Sequence, residues 1–273
     1  KVNLRASYYR TLSRPEFREL APFAFYNFVM DNILSGNPNL QRATIDNFDL
    51  RYEYYPGEGQ ILSVSGFYKN FTNPIELINR TGTSGAPELY YTNVPSVTNV
   101  GAELEYRVKM DFVSKQENHP FWSNLTLYTN LSYINSQVDL TDFPGSDPRP
   151  LQGQSPYIVN AGLNYSDTKK GFQLNINYNV IGKRIFAVGN NFGSPYPDWY
   201  EMPRNVVDLN FSKEITKWIM IKGGVTDLLN QDNYILQDGN QDDNFDKGRD
   251  QIIQSYVPGR VISLGVVISP FNK

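Results

Sequence analysis

The chain has no cysteine and one histidine, His119. The first absence excludes a disulfide framework and thiol chemistry. The second leaves one imidazole for acid–base work, in Gln116-Glu117-Asn118-His119-Pro120. That segment reads as a turn far from any substrate cleft, whereas catalysis needs a base poised beside its partners. No apolar run approaches the roughly 18 residues of a membrane helix, and mean hydropathy is −0.46. Positive charge is not in excess: 25 Lys and Arg face 28 Asp and Glu, a net charge of −3. This argues against a nucleic-acid partner. The start, Lys1-Val2-Asn3-Leu4-Arg5-Ala6, is already strand-like and shows no charged-then-apolar leader. A start inside a strand suggests a chain cut from a longer one.

What the chain does have is aromatics, 19 Tyr and 16 Phe, and alternation. Ten runs of about 10 residues alternate apolar with polar residues, the pattern of strands with two unlike faces. In one, Phe172, Leu174, Ile176, Tyr178 and Val180 oppose Gln173, Asn175, Asn177 and Asn179. In others, Phe48, Leu50, Tyr52 and Tyr54 oppose Asn47, Asp49, Arg51 and Glu53, and Val100 to Val108 oppose Glu103, Glu105, Arg107 and Lys109. Short connections such as Pro56-Gly57-Glu58-Gly59 and Asp167-Thr168-Lys169-Lys170-Gly171 follow the even-numbered runs. Long polar-aromatic connections follow the odd-numbered ones.

An all-β, antiparallel transmembrane barrel accounts for both features. Its outward face meets lipid, its lumen is wet, and its short turns lie in the periplasm with long loops outside. The alternative is a soluble, aromatic-rich β-sandwich that binds carbohydrate. A sandwich buries its apolar face and exposes its charges, but it has no reason to keep loop lengths alternating along the whole chain. A ten-stranded barrel protease is the enzyme alternative; His119 lies at the wrong end for it, so no enzyme is expected.

Several segments match a known family. Arg14-Pro15-Glu16-Phe17-Arg18-Glu19-Leu20-Ala21-Pro22-Phe23 resembles an extracellular-loop motif of TonB-dependent receptors of the Bacteroidota type. Gly36-Asn37-Pro38-Asn39-Leu40 with Asn47-Phe48-Asp49-Leu50-Arg51-Tyr52-Glu53 resembles the next incoming strand, and Phe67-Tyr68-Lys69-Asn70-Phe71 with Asn73-Pro74-Ile75-Glu76 the next outgoing one. Val225-Thr226-Asp227-Leu228-Leu229-Asn230 and Pro258-Gly259-Arg260-Val261-Ile262-Ser263-Leu264-Gly265 resemble the last two strands. The closing strand of the family usually ends in Phe; here Phe271 is followed by Asn272 and Lys273.

The resemblance implies a larger plugged barrel of about 22 strands, of which residues 1–273 form the C-terminal portion, about ten strands. The plug domain and the TonB-contacting segment are expected outside this chain. The implied function is import across the bacterial outer membrane of a nutrient too large for porins: a siderophore, a glycan or a peptide. Implied partners are outer-membrane lipid, TonB through the N-terminal part, the missing plug and barrel strands, and a surface lipoprotein. The first and last runs are expected to pair with strands outside this chain rather than with each other.

Two clusters are candidate sites. Arg14, Phe17, Arg18, Phe23, Phe25 and Tyr26 gather aromatics and cations in the first long loop, where they can contact ligand or simply pack loops together. Asp238, Asn240, Asp242, Asn244 and Asp246 place oxygen ligands at every second residue, as a calcium loop does. Asp243 stands where a calcium loop wants Gly, so a solvated polar loop is the competing reading. No other cofactor is expected.

Overall fold

Alternating side chains demand a sheet whose two faces meet different surroundings, and the computed structural model has one. It describes residues 1–81, 87–113, 120–141, 148–189 and 197–269. In chain order the strands are β1 (Val2–Ser13), β2 (Ala24–Asn27), β3 (Asn32–Ser35), β4 (Ala43–Tyr54), β5 (Ile61–Thr72) and β6 (Ile75–Thr81). Then come β7 (Pro87–Asn93), β8 (Ser96–Lys109), β9 (Leu125–Val138), β10 (Tyr157–Asp167), β11 (Phe172–Ile181) and β12 (Arg184–Ala187). The last are β13 (Trp199–Glu201), β14 (Asn205–Thr216), β15 (Ile219–Thr226), β16 (Asn233–Gln237), β17 (Gln251–Tyr256) and β18 (Val261–Ile268). Single-turn helices sit in connections, among them α1 (Phe17–Leu20) and α2 (Pro120–Ser123).

Ten strands form one sheet in the order β1-β4-β5-β8-β9-β10-β11-β14-β15-β18, every neighbour antiparallel. These are the ten alternating runs of the sequence. Most are 10 to 14 residues long, enough for a tilted strand to cross the hydrocarbon. The short connection between β10 and β11 closes with Gly171 at φ 57, a backbone that side-chain-bearing residues rarely adopt.

Register sorts the side chains. One row runs Val108, Leu127, Leu163, Ile176, Leu209, Val225, Ile262 across seven neighbouring strands. On the opposite face another runs Asn3, Glu53, Ser63, Glu105, Asn130, Asn160, Asn179. Burial inverts the pattern of a soluble protein: Glu53 is 3 % exposed while its neighbours Tyr52 and Tyr54 are 45 % and 41 % exposed. No second sheet covers the apolar face among the described residues. A β-sandwich, which must bury that face, is not supported.

The sheet does not close on itself. Among the described residues β1 pairs only with β4 and β18 only with β15; as expected, the first and last runs do not pair with each other.

The hydrophobic core lies elsewhere. The long connections, which the sequence reading treats as irregular, carry eight short strands in two four-stranded sheets, β2-β3-β7-β6 and β12-β13-β16-β17. A parallel bridge between Ile78 and Val188 joins the two. Leu34, Leu89, Ala187, Trp199 and Ile235 form their shared buried core, with Phe25, Leu77, Tyr91 and Phe186 packed against it. A satellite cluster of Val94, Val97 and Val138 anchors this crown to the ends of the wall strands.

Candidate functional site

The polar wall holds its charges in pairs. Arg51 donates to Glu53 at 2.8 Å and to Glu105 at 2.6 Å, while Arg5 lies 3.3 Å from Glu53. Tyr55 and Asn3 donate further bonds to Glu53. These pairs lie on the polar face shared by β1, β4 and β8. Farther along, the Tyr128 hydroxyl donates to Asn177 Oδ1, and Asn177 donates to Asn175 at 2.6 Å. The Tyr128 ring lies over Gly162, where a Cβ would overlap it.

The crown ties all five long connections to one another. β3 of the first pairs in parallel with β7 of the second. Glu76 on β6 takes a bidentate bond from Arg149 of the third at 2.7 and 2.8 Å. Gln152 donates its backbone N–H to Glu76, accepts from the Leu77 N–H, and donates through Nε2 to the Phe186 carbonyl. β13 of the fourth pairs with β16 of the fifth, and Gln254 of the fifth reaches the Val29 carbonyl of the first at 3.4 Å. A buried charge needs a partner and hydrogen bonds, and fully buried Glu76 has both.

Burial raises the Asp198 carboxyl above its ordinary range, against the lowering effect of the Gly189 N–H bond and of Arg149. Burial also raises the Tyr200 phenol, with Asp198 adding to it, and lowers the Lys183 ammonium, which lies 4.1 Å from the Phe245 ring and 4.8 Å from Tyr200. Beneath this cluster, where the crown meets the polar wall, Asn179, Arg184, Glu201, Arg204, Asn233 and Tyr256 line a cavity of about 220 Å³. Arg184 pairs with Glu201 and Arg204 with Asp227, both at 2.6 Å.

The first loop divides the expected ligand contacts. Phe25 points inward from β2, packs on the crown core and lies 4.0 Å beneath the Arg18 guanidinium. Phe23 touches Phe25 edge-on at 6.5 Å. Tyr26, on the other face of β2, bonds Asp31 and meets Phe28 edge-on at 4.9 Å. Phe17, 95 % exposed on α1, stands apart, and Arg14 is exposed. The outward set is therefore Arg14, Phe17, Phe23, Tyr26 and their neighbour Phe28, 87 % exposed.

The acidic loop uses its oxygens on itself. Asp238 accepts the N–H groups of Gln241 and Asp243, both at 2.8 Å. Asn240 accepts from Asp242, Asp242 from Asn244, and Asp246 from Gly248. Gln241 and Asp243 adopt φ of 58° and 59°. Among the described residues no group of three or more His, Cys, Asp or Glu side chains is placed to hold a metal ion. His119 lies outside the described residues.

Sequence reasoning missed Glu76, Arg149, Gln152, Asp198 and Trp199. Their contacts span 73 residues or more in the case of Glu76 with Arg149 and Gln152, and no local pattern marks them.

The comparisons agree with this geometry. The model of the family described as TonB dependent receptor-like, beta-barrel matches residues 1–228. An iron-regulated outer membrane virulence protein of Vibrio cholerae serotype O1 is 25 % identical over 227 residues, 80 % of this chain and 32 % of that protein. A crystal structure of the ferric enterobactin receptor of Pseudomonas aeruginosa is similar with a TM-score of 0.60 at 18 % identity, covering 98 % of this chain and 38 % of that one. The copper transporter OprC is similar with a TM-score of 0.61 at 17 % identity, over 98 % and 38 % of the two chains. The chain thus spans about a third of the length of the relatives it matches.

Proposed function

This chain belongs to the TonB dependent receptor-like β-barrel family, and from that premise we propose that it is the C-terminal wall and outer crown of a plugged receptor that imports a nutrient too large for porins. Its place is the bacterial outer membrane. The observation that carries the reading is the union of an open, ten-stranded wall with a polar face and a crown in which four of the five long connections share one core and the third is tied to it through Arg149 and Gln152. An open sheet cannot stand in hydrocarbon, because each unpaired backbone group there costs several kcal/mol. We assign the strands that complete the barrel, the plug and the TonB-contacting segment to sequence outside this chain, in a receptor of the Bacteroidota type.

The cargo we favour is an anionic metal chelate of the siderophore class. The first long connection exposes a cation, Arg14, and the aromatics Phe17, Phe23, Tyr26 and Phe28, side chains of the kinds that suit a flat, negatively charged ligand, and the similar proteins named above are an iron-regulated protein, a ferric enterobactin receptor and a copper transporter. Capture by the crown is followed by plug movement driven through TonB; this segment supplies wall and capturing surface. A surface lipoprotein over the crown would belong with a glycan or peptide cargo instead. The test is uptake of labelled ferric chelates by cells lacking the gene, and by cells lacking TonB. Loss of uptake in both supports the reading. Undiminished chelate uptake with a growth defect on glycan or peptide moves the cargo to those classes.

A further inference from the structure

The outward face of the wall is not uniform. Near the short β10–β11 turn it carries a groove of about 550 Å³ whose floor is Leu125, Leu163, Leu174 and Ile176. Phe121 of α2 flanks it, stacked on Tyr165 at 5.0 Å. The lining at the β10–β11 turn is cationic. Lys213 Nζ donates to the Lys170 carbonyl, and Lys170 Nζ lies 3.7 Å from the Asp167 carboxylate. Asp167 is the one acid among the lining residues, against Lys170 and Lys213; the Glu214 carboxylate lies outside the lining, against Gly171 of the turn.

A second outward groove of about 570 Å³, lined by Tyr8, Phe48, Leu50 and Tyr68, has no cation in its lining. Ordinary contact with lipid tails accounts for that one. It does not account for lysines held at the rim of the first. By the length rule of such barrels the β10–β11 turn lies on the periplasmic side, where the leaflet's phosphodiester headgroups sit. A phosphodiester carries a single negative charge, which the ammonium groups of Lys170 and Lys213 in the lining can meet. Basic groups beside apolar grooves are a common way of holding lipid headgroups.

We infer that this groove is a specific phospholipid site, in which Lys170 and Lys213 bind the phosphodiester and Leu125, Leu163, Leu174 and Ile176 hold one acyl chain. Phe121, stacked on Tyr165, forms a side wall near the turn. The site is independent of which cargo the receptor carries.

The experiment is native mass spectrometry of the full-length receptor in detergent, with phosphatidylglycerol as probe. Diacylglycerol of the same chains and glycerophosphate serve as competitors. Phosphatidylglycerol is expected to stay bound at one per receptor under activation that strips diacylglycerol. K170A/K213A is expected to weaken its retention at least tenfold, and Lys217→Ala, in the next turn, to leave it unchanged. Lys213→Gln keeps a donor for the Lys170 carbonyl while losing the charge, and serves should the double variant fail to fold; it too is expected to weaken retention. Equal retention of diacylglycerol, displacement by glycerophosphate alone, or wild-type retention in Lys213→Gln would each overturn the assignment.

Discussion

Glu76 and Arg149 meet in a bidentate ion pair across 73 residues of chain, with the Glu76 side chain fully buried. The pair joins the second and third long connections where Gln152 also bonds the fourth. Removing one partner of such a pair leaves a buried charge without compensation, at a cost of about 3–5 kcal/mol. Arg149→Ala should therefore loosen the crown and leave the wall intact. Protease added to intact cells should cut the crown faster in this variant, with no loss of the folded band on an unheated gel. The paired replacement Glu76→Leu with Arg149→Met should recover most of the resistance.

Ile176 lies in the apolar row on the outward face, between Leu163 and Leu209. Arg in its place should cost about 2–4 kcal/mol if the residue lies near the bilayer midplane, lowering the yield of folded protein in the membrane. Spin labels at positions 174 to 179 should alternate between lipid and water exposure, since Asn175 and Asn177 share the Tyr128 network on the other face. Uniform exposure along the six positions would contradict the wall.

Gly162 gives the Tyr128 ring room to lie along the wall and reach Asn177. Gly162→Ala should force the ring off this position, with an overpacking cost of about 1–3 kcal/mol. A lowered unfolding midpoint in detergent, recovered in part by adding Tyr128→Ala, is the expected result.

Burial raises the Asp198 carboxyl. A raised folded-state value means that the group's contribution to stability is fully present below its unfolded value and fades as pH rises through the folded one. Crown stability should accordingly fall as pH climbs upward from about 4, the ordinary carboxyl value. Asp198→Asn keeps an acceptor for the Gly189 N–H and removes that dependence. Hydrogen exchange of the crown amides at a series of pH values reads both effects.

The acidic loop should keep its shape in chelator, because Asp238 already satisfies the Gln241 and Asp243 N–H groups. Asp238→Ala should open it with or without calcium, by about 1–3 kcal/mol for the backbone donors left bare. A rise in protease resistance of the wild-type loop on adding calcium would favour the calcium reading over the self-bonded one.

The wall was legible because its strands are long and meet two unlike solvents. From Phe172 to Ile181 the alternation persists for all of β11, and a period of two needs several repeats to register. The crown strands give no such chance. β3 is four residues, Asn32-Ile33-Leu34-Ser35, preceded by Asp31 at φ 50, and its partner β7 is more than fifty residues away. Glu76 follows Pro74 and Arg149 sits between two prolines; neither setting announces a buried ion pair. In the first loop the aromatic cluster was visible, but its division was not. Only once Ala24 to Asn27 is known to be a strand does alternation send Phe25 inward and Tyr26 outward. Evenly spaced oxygens from Asp238 to Asp246 were equally visible, and here one spacing serves two chemistries: ligation and the self-bonding of a tight loop.

The crown's single core has a consequence for how such a protein can change its preferences. Trp199, Leu34, Leu89 and Ile235 come from four different connections, so no one loop is a detachable part. Grafting any one of these four from a relative would open a hole in the shared core, and grafting the second or fourth would also break the Ile78–Val188 seam. Exchange of the whole crown as a block, or substitution at solvent-facing positions such as Phe17, Phe23 and Phe28, leaves that core whole. Recognition in this molecule is therefore free to diversify by repainting a fixed surface, and constrained from doing so by swapping one loop at a time.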